Sequence, residues 1–400
     1  MTDDQGSTDI NCFGADDLIT PNMDRLAADG VRFTQFYVGA PICSPSRATL
    51  MTGRYPQRAQ LAGNAYAGFG MPTEQVTIAE MLKSAGYRTG LFGKWHLGEN
   101  LPMSPNAQGF DEFLGHKVGC IDNFSHFFYW QGPNRHDLWK NEQEYFEDGS
   151  YFPDMTVREA QRLIRENSSR SFFLYLPFNM PHYPMQAEQR FVDMYHDMND
   201  SNRKRYAAFV TALDYRIGQV VETLEEQGIR DNTLIIFLSD NGHSVEERAF
   251  GGGGSAKPYR GHKFTVWEGG VRLPCIISQP GRIARGEVRG QMVSSMDILP
   301  TIADYCGVPL PDRKIDGVSM KDVIETDTAK ATHTVLHWES GNRWAVHEEQ
   351  WKLVYEDDTL FLSDLSNDPG ETNNLIDMKL NVAARLKLLH EQWAREVTTQ

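Results

Sequence analysis

Residues 43–47 combine side-chain types that could carry out chemistry at one place. They read Cys-Ser-Pro-Ser-Arg, and residues 48–52 continue in a helical register until Gly53. This pattern predicts that Cys43 lies at a helix N-terminus, where backbone N–H groups and the helix dipole favour an anion. Taken alone, the segment is also compatible with a buried structural cysteine ahead of a capped helix.

Two pairs of oxygen-bearing side chains indicate a second kind of chemistry. Asp3 and Asp4 lie near the first residue, and Asp240 and Asn241 follow the apolar run 234–238. These four side chains offer only oxygen ligands, which suit a hard cation such as calcium or magnesium better than zinc. We therefore predict a divalent-cation site, although solvated loop acids would be the ordinary interpretation of Asp3 and Asp4 alone.

The overall charge sets a condition on any anionic ligand. The 400 residues contain 39 lysines and arginines against 54 aspartates and glutamates, a formal net charge of −15. Such a chain repels nucleic-acid phosphates and anionic membrane surfaces, so we expect no nucleic-acid partner. A pocket for an anion must then be locally positive, and Arg47, Lys94 and Lys263 are the candidates. His96 and His182 are candidates for proton transfer.

Length and composition restrict the class of protein. With 40% hydrophobic and 11% aromatic residues, the chain can bury a large core, as one α/β unit or a large unit with a smaller one. No stretch reaches the roughly 18 apolar residues that a membrane span needs, and residues 1–6 are polar, so we predict neither a membrane span nor a signal peptide. Five cysteines without a CxxC pair argue against a disulfide framework or a zinc knuckle.

The segments that must position these side chains alternate between amphipathic helices and short apolar runs. Helices are predicted after Thr20-Pro21, after the capping box at residues 77–80 and over residues 206–227. Apolar runs predict strands at residues 87–92, 172–176, 234–238 and 275–277. Such a pattern indicates a parallel sheet covered on both faces, which binds ligands beyond the carboxyl ends of its strands.

A change of composition near residues 322–332 predicts a domain boundary. We expect a catalytic domain over residues 1–325 and a C-terminal subdomain over residues 326–400. A terminal amphipathic helix is predicted at residues 382–397. The runs that predict a small antiparallel sheet are residues 333–338, 351–355 and 359–362.

Together these segments resemble the sulfatase family, the formylglycine-dependent type I group of the alkaline-phosphatase-like superfamily. Residues 43–47 look like the signature in which a Cys-x-Pro-Ser-Arg cysteine is oxidised to formylglycine after translation. The other segments that resemble the family follow in its order and extend over most of the chain: Asp3-Asp4 and residues 20–27, 93–98, 181–182, 239–242, 260–263, 268–272 and 365–375.

The resemblance implies an alkaline-phosphatase-like α/β core with a mostly parallel central sheet flanked by helices, and a smaller C-terminal antiparallel-sheet subdomain with a terminal helix. It also implies a periplasmic or secreted location. The family has an apolar strand directly before the paired aspartates, whereas only Met1 and Thr2 precede Asp3 here. We therefore expect the catalytic domain to lack this first strand, to begin upstream, or to fill the central gap with another strand.

The resemblance further implies hydrolysis of sulfate esters, with Cys43 converted to formylglycine by a formylglycine-generating maturation enzyme. One Ca²⁺ per chain would be held by Cys43 and by Asp3, Asp4, Asp240 and Asn241. One hydroxyl of the hydrated aldehyde would attack sulfur and expel the alcohol. The second would re-form the aldehyde and release sulfate.

The remaining catalytic positions implied by the resemblance are cationic and imidazole side chains. Arg47 is expected to clamp position 43, His96 to contact the hydroxyls of the nucleophile, and His182 to protonate the leaving oxygen. Lys94 and Lys263 lie in segments that carry lysines in the family, and we expect them to stabilise the charge on the transferring group.

An aromatic segment, residues 117–152, bears on the substrate. Aromatic side chains recur from Phe124 to Phe152, and aromatic faces can stack on sugar rings, although they could equally pack an insertion. The residues there that could bind a second anionic group are Cys120, His126, His136, Lys117, Arg135 and Lys140. Together these features favour a sulfated carbohydrate over a small aryl sulfate.

Other functions stay open at this point. The same machinery could hydrolyse phosphonate monoesters or phosphodiesters, because phosphoryl and sulfuryl groups share a tetrahedral shape. A non-catalytic binder of sulfated glycans would also fit, given the short start before Asp3. A metal-dependent phosphatase with a serine nucleophile is disfavoured, because Cys43 occupies the position of the nucleophile.

Overall fold

The computed structural model describes residues 1–130 and 132–398. The helices are α1 (Pro21–Ala28), α2 (Cys43–Thr52), α3 (Ile78–Ser84), α4 (Phe152–Glu166), α5 (Gln189–Asp193), α6 (Ser201–Glu226), α7 (Glu268–Val271), α8 (Ile298–Cys306), α9 (Lys321–Glu325) and α10 (Leu380–Thr398). Within the described ranges, none of these helices combines the length and the apolar character that crossing a membrane requires.

The strands belong to several sheets, of which two form the core. They are β1 (Val31–Phe33), β2 (Phe36–Tyr37), β3 (Arg88–Lys94), β4 (Glu112–His116), β5 (Phe127–Phe128), β6 (Arg135–His136), β7 (Trp139–Lys140), β8 (Gln143–Glu144), β9 (Phe172–Tyr175), β10 (Ile235–Leu238), β11 (Cys275–Ser278), β12 (Glu287–Arg289), β13 (Val293–Ser294), β14 (Val335–Ser340), β15 (Arg343–Glu348), β16 (Trp351–Glu356) and β17 (Thr359–Asp364).

The two core sheets confirm the predicted α/β class. In the first, with strand order β8-β7-β4-β3-β9, β3 runs parallel to β4 and to β9. In the second, with order β10-β11-β1-β12, β1 and β12 are parallel, whereas β11 runs antiparallel to β10 and β1. The direction of β11 does not show in its sequence, because burial on both faces makes a strand continuously apolar whichever way it runs. Helices α4 and α1 cover these sheets and both contact α6.

Residues 1–3 join the two core sheets beyond the ends of β9 and β10. The N–H groups of Thr2 and Asp3 donate to the carbonyls of Leu238 and Met180, both at 2.9 Å, in parallel one-residue bridges. A cavity of about 710 Å³ lies between the remaining lengths of the two strands, lined by Met1 and by apolar side chains from both. Within residues 1–130 and 132–398 no other strand fills this gap. The paired aspartates therefore depend on these short bridges for their position.

The local signals for two helices are confirmed. At α3, Thr77 Oγ1 accepts the N–H of Glu80 at 3.1 Å, and the Glu80 carboxylate accepts the N–H of Thr77 at 2.8 Å, which is the predicted capping box. Helix α2 begins at Cys43 and ends before Gly53, whose φ of 67° lies in the left-handed region that glycine adopts readily. Cys43 therefore lies at a helix N-terminus, as predicted.

Helix α6 is longer than its apolar periodicity indicates. It begins at Ser201, whereas the prediction begins at residue 206. The additional turn is polar and is capped by Asp200, whose carboxylate accepts the N–H groups of Asn202 and Arg203. A capped polar turn adds no apolar residues, so the hydrophobic pattern misses it.

The predicted antiparallel sheet and terminal helix are present near the C-terminus. Strands β14 to β17 pair consecutively, and α10 packs on β15 and β16. The prediction missed β15, which has charged residues at both ends. Trp338 Nε1 donates to the carbonyl of Val38 at 2.7 Å, and Lys352 Nζ forms a buried ion pair with Glu268 at 2.8 Å, so the sheet is fastened to the core. The domain division at residues 325 and 326 stays a prediction.

Candidate functional site

The site residues predicted from the sequence converge at the edge where the parallel strands end. Lys94 is the last residue of β3, Cys43 opens α2, and Asp240 follows β10. The structure buries all of them: Asp3, Asp4, Cys43, Arg47, Lys94, His96, His182, Asp240, Asn241 and Lys263. Convergence in one buried place distinguishes them from solvated surface charges.

The oxygen-bearing side chains form one connected group. The Asp4 N–H donates to Asp240 Oδ1 at 3.1 Å, and Asn241 Nδ2 donates to Asp4 Oδ1 at 2.7 Å. Cys43 Sγ lies 3.9 Å from Asp3 Oδ1. Asp4 also has a left-handed φ of 62°, a sparsely populated conformation of the kind that often lies at functional sites.

Two lysines neutralise the paired aspartates. Lys94 Nζ lies 2.9 and 2.7 Å from the two carboxylate oxygens of Asp3, and Lys263 Nζ lies 2.8 Å from Asp4 Oδ2. All four side chains are shielded from solvent, so these charge-assisted hydrogen bonds are much stronger than surface ion pairs. The lysines are therefore fixed at the site rather than mobile.

Arg47 contacts the acidic group rather than the thiol of Cys43. Its Nε and Nη2 donate to Asp240 Oδ2 at 3.0 and 2.8 Å, and its Nη1 donates to the carbonyl of Lys94 at 2.9 Å. The side chain thus ties α2 to the ends of β3 and β10. With it, three buried cations face three buried carboxylates, so the local charge is balanced. A divalent cation would add the excess positive charge that an anionic ester requires.

The buried environment shifts the pKa values of the three carboxylates in different directions. Burial raises the pKa of Asp4 to about 6 against the opposing charge of Lys263. Burial also raises the pKa of Asp240, with a further contribution from the charge of Asp3. At Asp3 burial acts in the same direction, but the cations, Lys94 above all, outweigh it and hold the pKa below its usual range. Crowded acids of this kind gain from a bound cation.

The donor set fits a hard divalent cation. Asn241 Oδ1 is buried and has no hydrogen-bond partner, a state that costs free energy and that a cation would relieve. The residues that each offer a ligand atom within 4.8 Å of the others are Asp3, Asp4, Cys43 and His182. Asp3 and Asp4 supply carboxylate oxygens to this group, and Asp240 and Asn241, both hydrogen-bonded to Asp4, add the oxygen donors that calcium prefers.

As a thiol, Cys43 is poorly suited to attack an ester. Burial raises its pKa to about 12, with Lys263 and Lys94 opposing the shift. Nucleophilic attack by cysteine requires the thiolate, which is then scarce at neutral pH. The position of Cys43 at a helix N-terminus beside the acidic group is nevertheless where a nucleophile would be needed.

His182 presents one ring nitrogen to the site. Its Nδ1 lies 2.7 Å from the carbonyl oxygen of Tyr183, which can only accept, so Nδ1 carries the proton. Its Nε2 lies 3.6 Å from Asp4 Oδ2. Burial, and then the charges of Lys263 and Lys94, lower the pKa of His182 well below its usual value. To donate a proton from Nε2, the imidazole must first take one up there.

His96 is held in an unusual conformation. Its φ of 55° is left-handed, and its Nδ1 is buried without a partner. Burial, and then the charge of Lys94, lower its pKa well below the usual value. Gly119 leaves room for the ring, since a Cβ there would lie 3.1 Å from His96 Cε1.

Sequence reasoning missed the residues that border this group. Glu246 Oε2 lies 3.5 Å from Lys263 Nζ and pairs with Arg248. The ring of Tyr183 lies 4.1 Å from that of His182 and 5.7 Å from that of Trp130. Glu246 follows the Asp240 motif closely and Tyr183 is adjacent to His182, so proximity to the motifs was the available signal.

The aromatic segment extends from this border to the surface. Tyr129 is 45% exposed and Phe124 is 41% exposed, whereas Trp130 packs beside Tyr183. Lys117, expected to bind an anion, is instead buried, with its Nζ 3.8 Å from the ring centre of Trp139. The other basic residues also have local partners, because Arg135 pairs with Glu99 and Lys140 lies over Tyr145.

Comparison with known proteins agrees with this geometry. The Sulfatase family model matches residues 1–308, and the N-sulphoglucosamine sulphohydrolase C-terminal model matches residues 261–397. Arylsulfatase A of Homo sapiens is 33% identical over 432 residues, which cover 94% of this chain and 82% of that protein. N-acetylgalactosamine-6-sulfatase of Canis lupus familiaris is 35% identical over 349 residues, which cover 80% of this chain and 64% of that protein.

A solved structure shows the same architecture. Ps i-CgsB in complex with k-i-k-neocarrahexaose superposes with a TM-score of 0.91 at 30% identity, covering 98% of this chain and 91% of that chain. The match includes both the core sheets and the C-terminal sheet, because nearly the whole chain is covered. Sequence, fold and buried site therefore lead to one conclusion: the chain belongs to the sulfatase family and is a sulfuric ester hydrolase.

Proposed function

We propose that this chain removes sulfate from sulfated carbohydrates, with a formylglycine at position 43 and a calcium ion held there and by Asp3, Asp4, Asp240 and Asn241. The observation that carries the proposal is the meeting of Cys43 with buried carboxylates and buried cations at one sheet edge. An acidic protein that places its cations there is adapted to an anionic substrate.

The raised pKa of the Cys43 thiol supports its conversion by a formylglycine-generating maturation enzyme, because the unmodified thiol is a poor nucleophile. The hydrated aldehyde would supply two hydroxyls in its place. Bound calcium would supply the positive charge that favours an ionised nucleophile and a sulfuryl group.

The cations of this chain have fixed roles in the proposal. Lys94 and Lys263 provide positive charge that is already in place and needs no reorganisation when charge develops on the sulfuryl oxygens. Arg47 positions Asp240 and the start of α2, and so acts on position 43 through the helix rather than by direct contact.

The two histidines serve proton transfer and hydrogen bonding in the proposal. The protonated Nδ1 of His182 donates to the carbonyl of Tyr183. Nε2 is then free to take up a proton and deliver it to the leaving oxygen. The unpartnered Nδ1 of His96 is available to contact the hydroxyls at position 43. Both rings are buried, so water competes little for these contacts.

A carbohydrate substrate is supported by the border of the site. The rings of Tyr183 and Trp130 connect His182 with the exposed Tyr129, which gives apolar faces on which sugar rings can stack. Two of the compared proteins support this class, since one is named N-acetylgalactosamine-6-sulfatase and one solved neighbour holds k-i-k-neocarrahexaose. The periplasmic or secreted location stays a prediction.

Mass spectrometry of the tryptic peptide that ends at Arg47 tests the nucleophile. We expect an aldehyde in place of the thiol in protein from a host that makes formylglycine, and an intact thiol from such a host would contradict the proposal. Kinetics on a sulfated oligosaccharide, an aryl sulfate and a phosphodiester test the substrate class. We expect the highest kcat/KM on the oligosaccharide, and a preference for the phosphodiester would overturn the assignment.

A further inference from the structure

A second group of metal-ligating side chains lies in the aromatic segment. His126, His136 and Asp148 each offer a ligand atom within 4.8 Å of the other two. His126 is fully buried and the side chain of His136 is 4% exposed, whereas Asp148 is exposed. The group contains imidazoles and one carboxylate, unlike the oxygen-rich active site.

Hydrogen bonds fix the tautomer of both rings. His126 Nε2 lies 3.0 Å from the carbonyl oxygen of Ser150, and His136 Nδ1 lies 2.9 Å from the carboxylate of Glu144. A carbonyl oxygen and a carboxylate can only accept hydrogen bonds, so His126 Nε2 and His136 Nδ1 carry the ring protons. Burial lowers the pKa of His126, which favours its neutral form. In its neutral form, each ring therefore has one remaining nitrogen with a free lone pair.

These remaining nitrogens are buried and unsatisfied. His126 Nδ1 and His136 Nε2 have no hydrogen-bond partner. Two orphaned acceptors, on rings whose centroids lie 6.3 Å apart, are costly unless something binds them. Metal-binding histidines commonly donate the opposite ring N–H to a carboxylate or a backbone carbonyl, and both partners are present here in Glu144 and Ser150.

We propose that His126, His136 and Asp148 form a second metal site that takes a divalent transition metal, zinc above all. Imidazole and carboxylate ligands together suit zinc, whereas calcium prefers oxygen ligands alone. Three protein ligands leave one position for water. Zinc–ligand bonds are about 2 Å long, and the exposed Asp148 side chain can adjust by rotation to meet this length.

Such a metal would fasten three parts of the aromatic segment. His126 precedes β5, His136 ends the paired strand β6, and Asp148 lies in the loop before α4. The ring of His136 also stacks on Phe146 with centroids 4.3 Å apart. The bound ion would hold the loops that carry Tyr129 in one arrangement, so its role is structural rather than catalytic.

Equilibrium dialysis of the full chain against zinc, with excess calcium present, tests the site. Calcium occupies the oxygen-rich site, and we expect one equivalent of zinc to be retained. His136→Gln and Asp148→Asn should each weaken retention at least tenfold. Cobalt in place of zinc should give a visible absorption band that both variants lose, and circular dichroism should show that both are folded.

A matched control distinguishes this group from surface histidines. His196 lies 3.1 Å from Asp197 and is 76% exposed, so it forms a similar pair on the surface. His196→Gln should retain zinc as the unaltered chain does. The proposal is overturned if the unaltered chain retains no zinc, or if both site variants retain as much as the control. Neither result would affect the sulfatase assignment, which rests on other residues.

Discussion

The active site and the aromatic segment each bury a cluster of titratable groups, but they balance them differently. In the active site, buried carboxylates are paired with lysine or arginine at 2.7 to 3.0 Å. In the aromatic segment, His126 and His136 are each bonded through one nitrogen and unsatisfied at the other. The first cluster is built from ion pairs, and the second from imidazoles that each have one unpartnered nitrogen.

If both proposals hold, this difference would let one chain separate two kinds of cation. Charged oxygen ligands with compensating lysines favour a hard ion and an anionic substrate, because the fixed charges act strongly in a buried site. Imidazole nitrogens favour a borderline ion such as zinc. Donor type, rather than depth of burial, distinguishes the two clusters.

The largest expected effect in the active site follows Cys43→Ala. Without a nucleophile at position 43, we expect turnover of an aryl sulfate to fall by about 10⁴-fold or more while the fold is kept. Steady-state kinetics measure the turnover, and circular dichroism checks that the fold is kept. Cys275→Ala is the control, because Cys275 is equally buried but lies in β11. Near-native activity of the Cys43 variant would refute the role of this residue.

Arg47→Met tests the ionic character of the first cluster. It leaves Asp240 buried without its cation, and we expect the free energy of unfolding to fall by about 3–5 kcal/mol. Arg25→Met breaks an exposed pair with Glu225 at 2.6 Å, and should cost less than about 1 kcal/mol. Denaturant unfolding compares them, and equal losses would contradict the difference that burial predicts.

Removal of calcium tests which cation serves catalysis. A calcium-selective chelator should reduce turnover about a hundredfold or more, because the site then lacks its excess positive charge. Added calcium should restore activity, and added zinc should not. A zinc-selective chelator should leave turnover of a small aryl sulfate unchanged. Loss of activity with the zinc chelator alone would mean that the two clusters have been assigned the wrong ions.

The last prediction concerns stability rather than activity, and it involves two buried histidines that lie outside both clusters. Burial lowers the pKa of His337 to about 3 and that of His390 to about 4, where β14 meets α10. Since these values lie below that of an unfolded histidine, about 6.5, the stabilisation is complete above pH 6.5 and is lost as pH falls toward 4, by about 1 kcal/mol per unit for each ring.

Thermal unfolding between pH 7 and pH 4 measures this loss. The rings of His390 and Trp344 are stacked, with centroids 4.4 Å apart. His390→Phe keeps a ring in this position and removes one titrating group. We expect this variant to lose less stability on acidification than the unaltered chain. His196→Gln, on the surface, should leave the pH dependence as it is, and an identical slope for all three proteins would argue against the role of buried neutral histidines.

The sequence by itself determined the features that depend on nearest neighbours. The capping box at Thr77, the stop at Gly53 and the start of α2 at Cys43 follow from hydrogen bonds within a few residues. The apolar runs identified the buried strands, because a strand that is buried on both faces has a continuously apolar sequence of its own. The order of motifs identified the family, and the oxygen-bearing side chains predicted a divalent-cation site, which stays a prediction.

Only the tertiary structure decided what depends on partners far apart in the chain. Lys94 neutralises Asp3 and Lys263 neutralises Asp4, pairings that no local pattern encodes. The burial of Lys117 beside Trp139 and the antiparallel direction of β11 were likewise outside the reach of sequence reasoning. The physical reason is that charge pairing and strand direction are set by which elements pack together, whereas periodicity and capping report only the segment in which they occur.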